Sequence, residues 1–123
     1  MRGRGWLAIV ALLIVSGQLQ AVTCPPITFE GLKERFAGRS VHLIFFASWC
    51  ASCQSHLAEY PKNAVFIATF DEQRRAEAVI NHFGVDAPCF TDVDIASHYG
   101  IKAVPADRDL SLKKKIEPVA LTF

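Results

Sequence analysis

The chain has 123 residues, of which 51% are hydrophobic and 20% charged, with 13 basic and 12 acidic side chains. That length fits a single domain of roughly 100–200 residues, and the composition excludes a chain that is disordered throughout. The formal charge is +1, and it turns slightly negative once Arg2 and Arg4 are set aside as part of a leader. This excludes an extended basic surface, and with it nucleic-acid binding as the primary task.

The first 21 residues read as a secretory signal. Met1 to Gly5 is a short basic stretch, Trp6 to Val15 is uninterrupted apolar sequence, and Ser16 to Ala21 is small and polar. A ten-residue helical run spans about 15 Å, against about 30 Å of bilayer hydrocarbon. Cleavage after Ala21 is therefore expected, with an uncleaved membrane anchor as the alternative. Residues 22–123 form the domain proper. Export places it outside the cytosol, secreted or periplasmic, where disulfides form and persist.

Along the body, Phe29, Leu32 and Phe36 recur at helical spacing, with Thr28 as N-cap and Gly38 as stop. Val41 to Phe46 suits a strand buried on both faces. Trp49-Cys50-Ala51-Ser52-Cys53 follows and opens a short helix that runs to Tyr60, before Pro61. Ala64 to Phe70 is a second apolar strand, after which Asp71 can cap a helix striped by Ala76, Val79, Ile80 and Phe83 and closed by Gly84. A weak strand over residues 87–91 leads to a helix around Asp94 to Tyr99, stopped by Gly100, and then to a loop from Ile101 to Pro105. Alternating buried strands and amphipathic helices argue for an α/β layered domain, with the first two strands parallel.

The chemistry concentrates at Cys50 and Cys53. The two-residue spacing lets the sulfurs meet across one helical turn. A helix N-terminus offers free N–H groups and partial positive charge, which stabilise a thiolate at Cys50. The thiolate is the nucleophile of disulfide exchange. Cys53, one turn further in, is shielded and placed to resolve a mixed disulfide. Trp49 sets a flat apolar surface beside the reactive sulfur. The plainer reading is a core tryptophan next to a structural disulfide or two inert thiols. The position directly after a strand favours redox activity.

Phe45-Phe-Ala-Ser-Trp-Cys-Ala-Ser-Cys53, together with Tyr99-Gly-Ile-Lys-Ala-Val-Pro105, resembles the thioredoxin superfamily, and within it the exported TlpA/ResA-type thiol-disulfide oxidoreductases. The resemblance implies a thioredoxin-like α/β fold with a central mixed sheet of four or five strands flanked by helices. It implies that Cys50 attacks, that Cys53 resolves by closing a Cys50–Cys53 disulfide, that Pro105 is a cis-proline facing the pair, and that Trp49, Val104 and Pro105 meet the substrate. It also implies a protein substrate carrying a disulfide or dithiol, an upstream thiol-disulfide electron donor, work as a reductant, and no cofactor.

The sequence departs from that pattern in three places. Ile44 stands where thioredoxins keep a buried acid, and His56 stands where TlpA-type members often carry Glu. His56 is therefore a candidate for the proton-transfer role, with a solvated helix histidine as the bland alternative. The C-terminal part is shortened: Asp107-Arg108-Asp109 falls where an apolar strand should begin and resembles a turn, so one strand is either lost or unusually polar. The Ala51-Ser52 dipeptide does not reveal the redox potential.

Cys24 and Cys89 could form a second bridge, or remain independent thiols. A soft-metal site at Cys50, Cys53 and His56, taking copper or zinc, is the rival reading. A non-catalytic thioredoxin-like binding module is another. Lys113 to Lys115 is read as a solvated strand or turn.

Overall fold

The computed structural model describes residues 21–113. The leader and the tail from Lys114 onward, including Val119 to Phe123, lie outside those residues, so the expectations made for them are not met or refuted here. Within the described part the chain forms β1 (Pro26–Ile27), α1 (Phe29–Arg35), β2 (Ser40–Phe46), a 3-10 turn (Ala51–Cys53) running into α2 (Gln54–Ala58), β3 (Ala64–Ala68), α3 (Gln73–His82), β4 (Cys89–Asp92), α4 (Ile95–Tyr99) and β5 (Ala106–Ser111). The strands make one mixed sheet in the order β1-β4-β3-β2-β5. β2, β3, β4 and β1 run parallel, and β5 pairs antiparallel to β2.

Strand alternation sends side chains to two cores. Val41, Leu43 and Phe45 of β2 pack with Val65, Ile67 and Phe90 against Phe29, Leu32 and Phe36 of the α1 side and against Ile95 and Ala96 of α4. Ile44 and Phe46 pack with Phe66 and Ala68 on the other face, against Leu57 of α2 and Ala76 and Ile80 of α3. The central strands β2 and β3 are covered on both faces, which is why they read as near-continuous apolar runs. Thr28 caps α1 as expected, its Oγ1 accepting the Gly31 N–H at 3.0 Å. Gly100 ends α4 in the left-handed conformation at φ 68°, where a Cβ would be strained.

Four expectations need correction or completion. Asp107-Arg108-Asp109 is not a turn but the middle of β5, opposite Ile44, Leu43 and His42. Its two aspartates are met by one polar residue of β2: His42 Nδ1 lies 2.6 Å from Asp109 Oδ1, and Nε2 lies 3.0 Å from Asp107 Oδ2. The apolar run Ala64 to Phe70 stops being a strand at Ala68, although the Thr69 N–H still donates to the Phe46 carbonyl at 2.8 Å. Asp71 does not cap α3; the capping position belongs to Glu72, without a side-chain bond. Cys24 and Cys89 are joined in a disulfide, with their Cα atoms 4.6 Å apart, because β1 lies beside β4 with Pro26 opposite Thr91. That two-residue strand carried no periodic signal in the sequence.

Candidate active site

The dithiol sits at the C-terminal edge of the parallel strands, where β2 runs out. Ala47 begins the turn, and its carbonyl accepts the Cys50 N–H at 3.1 Å. Cys50 occupies the capping position of the 3-10 turn in an extended conformation, and no side chain bonds to the free N–H groups there. Cys50 and Cys53 form a disulfide with Cα atoms 5.4 Å apart. Cys53 is wholly buried and Cys50 nearly so. Cys50 is the slightly more exposed of the two.

The opposite wall is the loop before β5. The Val104–Pro105 peptide bond is cis, and the Val104 carbonyl oxygen lies 3.7 Å from Cys50 Sγ. Ser52 Oγ is 3.5 Å from the same sulfur, a neighbour that the bare dipeptide did not announce. His56 is exposed on α2, three residues after Cys53. Among the described residues it makes no hydrogen bond to either sulfur. Nor do three His, Cys, Asp or Glu side chains gather there as metal ligands, so the geometry does not favour the Cys50/Cys53/His56 metal reading.

The mixed sheet order, the disulfide straight after β2 and the loop before β5 facing it together decide the fold. It is thioredoxin-like.

No protein-family model matches the chain, and no curated protein matches it in sequence. Among solved structures it is similar to StoA from Bacillus subtilis, at 20% identity and a TM-score of 0.49, over 66% of this chain and 72% of that one. It is also similar to dsbF of MTB, at 21% identity and a TM-score of 0.48, over 72% and 80% of the two chains. A mutant thioredoxin from Halobacterium salinarum NRC-1 aligns at 17% identity and a TM-score of 0.36, over 81% and 80%. The fold assignment rests on the features of the chain itself rather than on these superpositions.

In this thioredoxin-like domain the segment after β3 clamps the dithiol turn, a feature the sequence reading missed. Asp71 Oδ2 accepts the Ser48 N–H at 2.6 Å, and Oδ1 accepts the Ser48 hydroxyl at 3.1 Å and the Glu72 N–H at 2.8 Å. Trp49 Nε1 donates to the Phe70 carbonyl at 2.9 Å. Phe70 has φ 58°, the one positive φ outside glycine among the described residues. An Asp directly before a helix signals a cap in sequence, and that ordinary signal concealed the clamp. Thr69, buried to 1% exposure, donates its hydroxyl to Asp92 Oδ2 at 3.0 Å. Asp92 in turn accepts the N–H groups of Ile95 and Ala96 at the start of α4.

The second disulfide lies in the same buried cluster as the dithiol, where the chain enters β1. There the Cys24 N–H donates to Glu77 Oε2 at 2.8 Å, and Thr91 Oγ1 donates to the Cys24 carbonyl at 2.6 Å. Asn81 grips Val22 from both sides: its Oδ1 accepts the Val22 N–H and its Nδ2 donates to the Val22 carbonyl. The Cys24 N–H holds the Glu77 carboxyl below its ordinary range, aided by Gln73 and opposed by burial. No helix among the described residues is long and apolar enough to cross a membrane.

Proposed function

We propose that the protein is a thiol-disulfide oxidoreductase that reduces disulfides of exported proteins. The carrying observation is the placement of Cys50 at the rim, against the Val104 carbonyl, with Cys53 bonded behind it. In the reduced enzyme the uncapped N–H groups of the turn after Cys50 favour its thiolate. That thiolate attacks a sulfur of the substrate disulfide. A Cys50–substrate bond forms, the substrate S–S bond breaks, and one substrate thiolate leaves. Cys53 then loses its proton and attacks Cys50 Sγ. The Cys50–Cys53 bond forms, the mixed disulfide breaks, and the second substrate thiolate leaves. Two electrons have passed from the dithiol to the substrate, and an upstream dithiol donor restores the pair by the reverse exchange.

No cofactor takes part in this scheme. The Val104 carbonyl faces Cys50, Pro105 follows it and Trp49 directly precedes Cys50, so these three are assigned to meet the substrate. His56, one turn along α2 from Cys53, is assigned the proton of Cys53. His56→Ala is then expected to shift the pH profile of the resolving step, and an unchanged profile removes His56 from the scheme. Residues 1–21 are assigned to export, with an uncleaved tether as the alternative. A reductant role predicts a low reduction potential for the Cys50–Cys53 couple, measured by equilibration with a thiol buffer.

The direct test is trapping. Cys53→Ala is expected to accumulate a mixed disulfide with a reducible protein, visible on a non-reducing gel, and Cys50→Ala to accumulate none. Equal trapping by both variants, or by neither, breaks the assignment of roles.

A further inference from the structure

Phe70 combines two unfavourable features. Its backbone lies in the left-handed region at φ 58°, where a side chain with a Cβ is disfavoured. Its ring is 52% exposed, so folding recovers little by hydrophobic burial. Strain of this kind persists where surrounding bonds over-determine it, and it concentrates at functional sites. The surrounding bonds are the Phe70 carbonyl on Trp49 Nε1 and the Asp71 carboxylate on Ser48. They turn the Phe70 carbonyl towards the indole and leave the Phe70 ring facing outward.

Trp49 is 61% exposed and is the immediate neighbour of Cys50. Among the described residues, neither its ring nor that of Phe70 stacks on another aromatic. Val93, 59% exposed, stands next in line beyond the Thr69–Asp92 bond. The three follow the C-terminal ends of β2, β3 and β4 in the chain, and the Trp49–Phe70 hydrogen bond sets two of them side by side next to Cys50.

We infer that Phe70 is a specificity-determining residue. With Trp49 it forms a docking surface for an extended protein segment that carries an aromatic or aliphatic side chain beside its reactive cysteine. The inference rests on the thiol-disulfide reading above and names the substrate class for that same site. An exposed aromatic contact contributes enough to separate such a segment from a polar one by roughly five- to tenfold in kcat/KM.

The test uses the full chain, reduced beforehand, and three disulfides. Two are symmetric disulfides of short extended peptides that differ only in having Phe or Ser next to the cysteine. The third is hydroxyethyl disulfide, which has no side chain to dock. The variants are Phe70→Asn and Phe70→Gly, because both residues visit the left-handed region readily. The wild type is expected to favour the Phe peptide over the Ser peptide roughly five- to tenfold, chiefly through KM. In both variants that ratio should fall close to one, with a urea midpoint equal to or above that of the wild type.

A wild-type ratio near one, or a ratio unaltered in the variants, overturns the inference while leaving the exchange chemistry standing. An equal slowing of all three disulfides also overturns it, because the role of Phe70 would then be structural. So does a change of oligomeric state in Phe70→Asn with the ratio intact, which would assign the surface to a second copy of the chain. Failure of the wild type to reduce any of the three defeats the thiol-disulfide reading itself.

Discussion

The domain carries two disulfides that are alike in burial and opposite in setting. Cys50–Cys53 lies at the rim, with two residues between its partners, and its neighbours Trp49 and Ser52 are open to solvent. Cys24–Cys89 lies between β1 and β4 with a separation of 65, and both flanking backbones are tied to other elements. Each is served by a carboxylate that accepts a backbone N–H: Asp71 from Ser48 near the first, Glu77 from Cys24 itself at the second. The bond type is the same, so the task of each is set by what surrounds it. A bond across one turn with solvent-exposed neighbours suits exchange, whereas a bond across half the chain with held backbones suits restraint of the unfolded state.

Removing each bridge in turn should expose that difference most strongly. On the chain-entropy estimate, a cross-link closing 65 residues contributes about 4 kcal/mol, and one closing a single turn about 1.5 kcal/mol. Cys24→Ala/Cys89→Ala should therefore lower the urea midpoint far more than Cys50→Ala/Cys53→Ala does. Only the second variant should lose exchange outright. Equal losses of stability would end the distinction drawn between the two bridges.

Asp71 offers a smaller effect at the rim. Asp71→Ala leaves the Ser48 N–H, the Ser48 hydroxyl and the Glu72 N–H without their acceptor. The expected loss is about 1–2 kcal/mol, with several-fold slower alkylation of reduced Cys50 as the turn loosens. Asp71→Asn keeps an acceptor for the Ser48 N–H and should recover much of both. If Asp71→Ala alkylates at the wild-type rate, the clamp does not position the dithiol.

These regions also differ in how far the sequence revealed them. The apolar runs at Val41 to Phe46 and Ala64 to Ala68, the stripe on α3 and the Cys50–Cys53 spacing are local patterns, and they placed the central sheet and the dithiol. β5 was hidden because its polarity is matched by His42, a residue more than sixty positions away that meets Asp107 and Asp109 only in the folded register. The Cys24–Cys89 pairing was hidden because it follows from β1 lying beside β4, a contact between distant residues in a strand too short to show periodicity. Phe70 was hidden because its apolar side chain continued the pattern of the strand it leaves. Local periodicity reports burial, and none of these three features is decided by burial.

The smallest effect lies at Glu77 and has a definite sign with pH. The carboxylate accepts the Cys24 N–H and the Gln73 side chain, and these bonds hold its pKa below the ordinary 4.5. A depressed folded pKa means that the group stabilises the fold above its unfolded pKa and loses that contribution as pH falls through the lowered folded value. The carboxylate is only partly buried, so solvent screening keeps the contribution to a few tenths of a kcal/mol. Glu77→Gln can still accept the Cys24 N–H but carries no charge. Urea midpoints of wild type and variant should therefore differ slightly at pH 6 and converge as pH falls below the lowered pKa. A pH-independent gap would mean that the carboxylate acts by packing rather than by charge. Loss of exchange activity in Glu77→Gln would mean that the two bridges are coupled, against the separation of tasks that their settings imply.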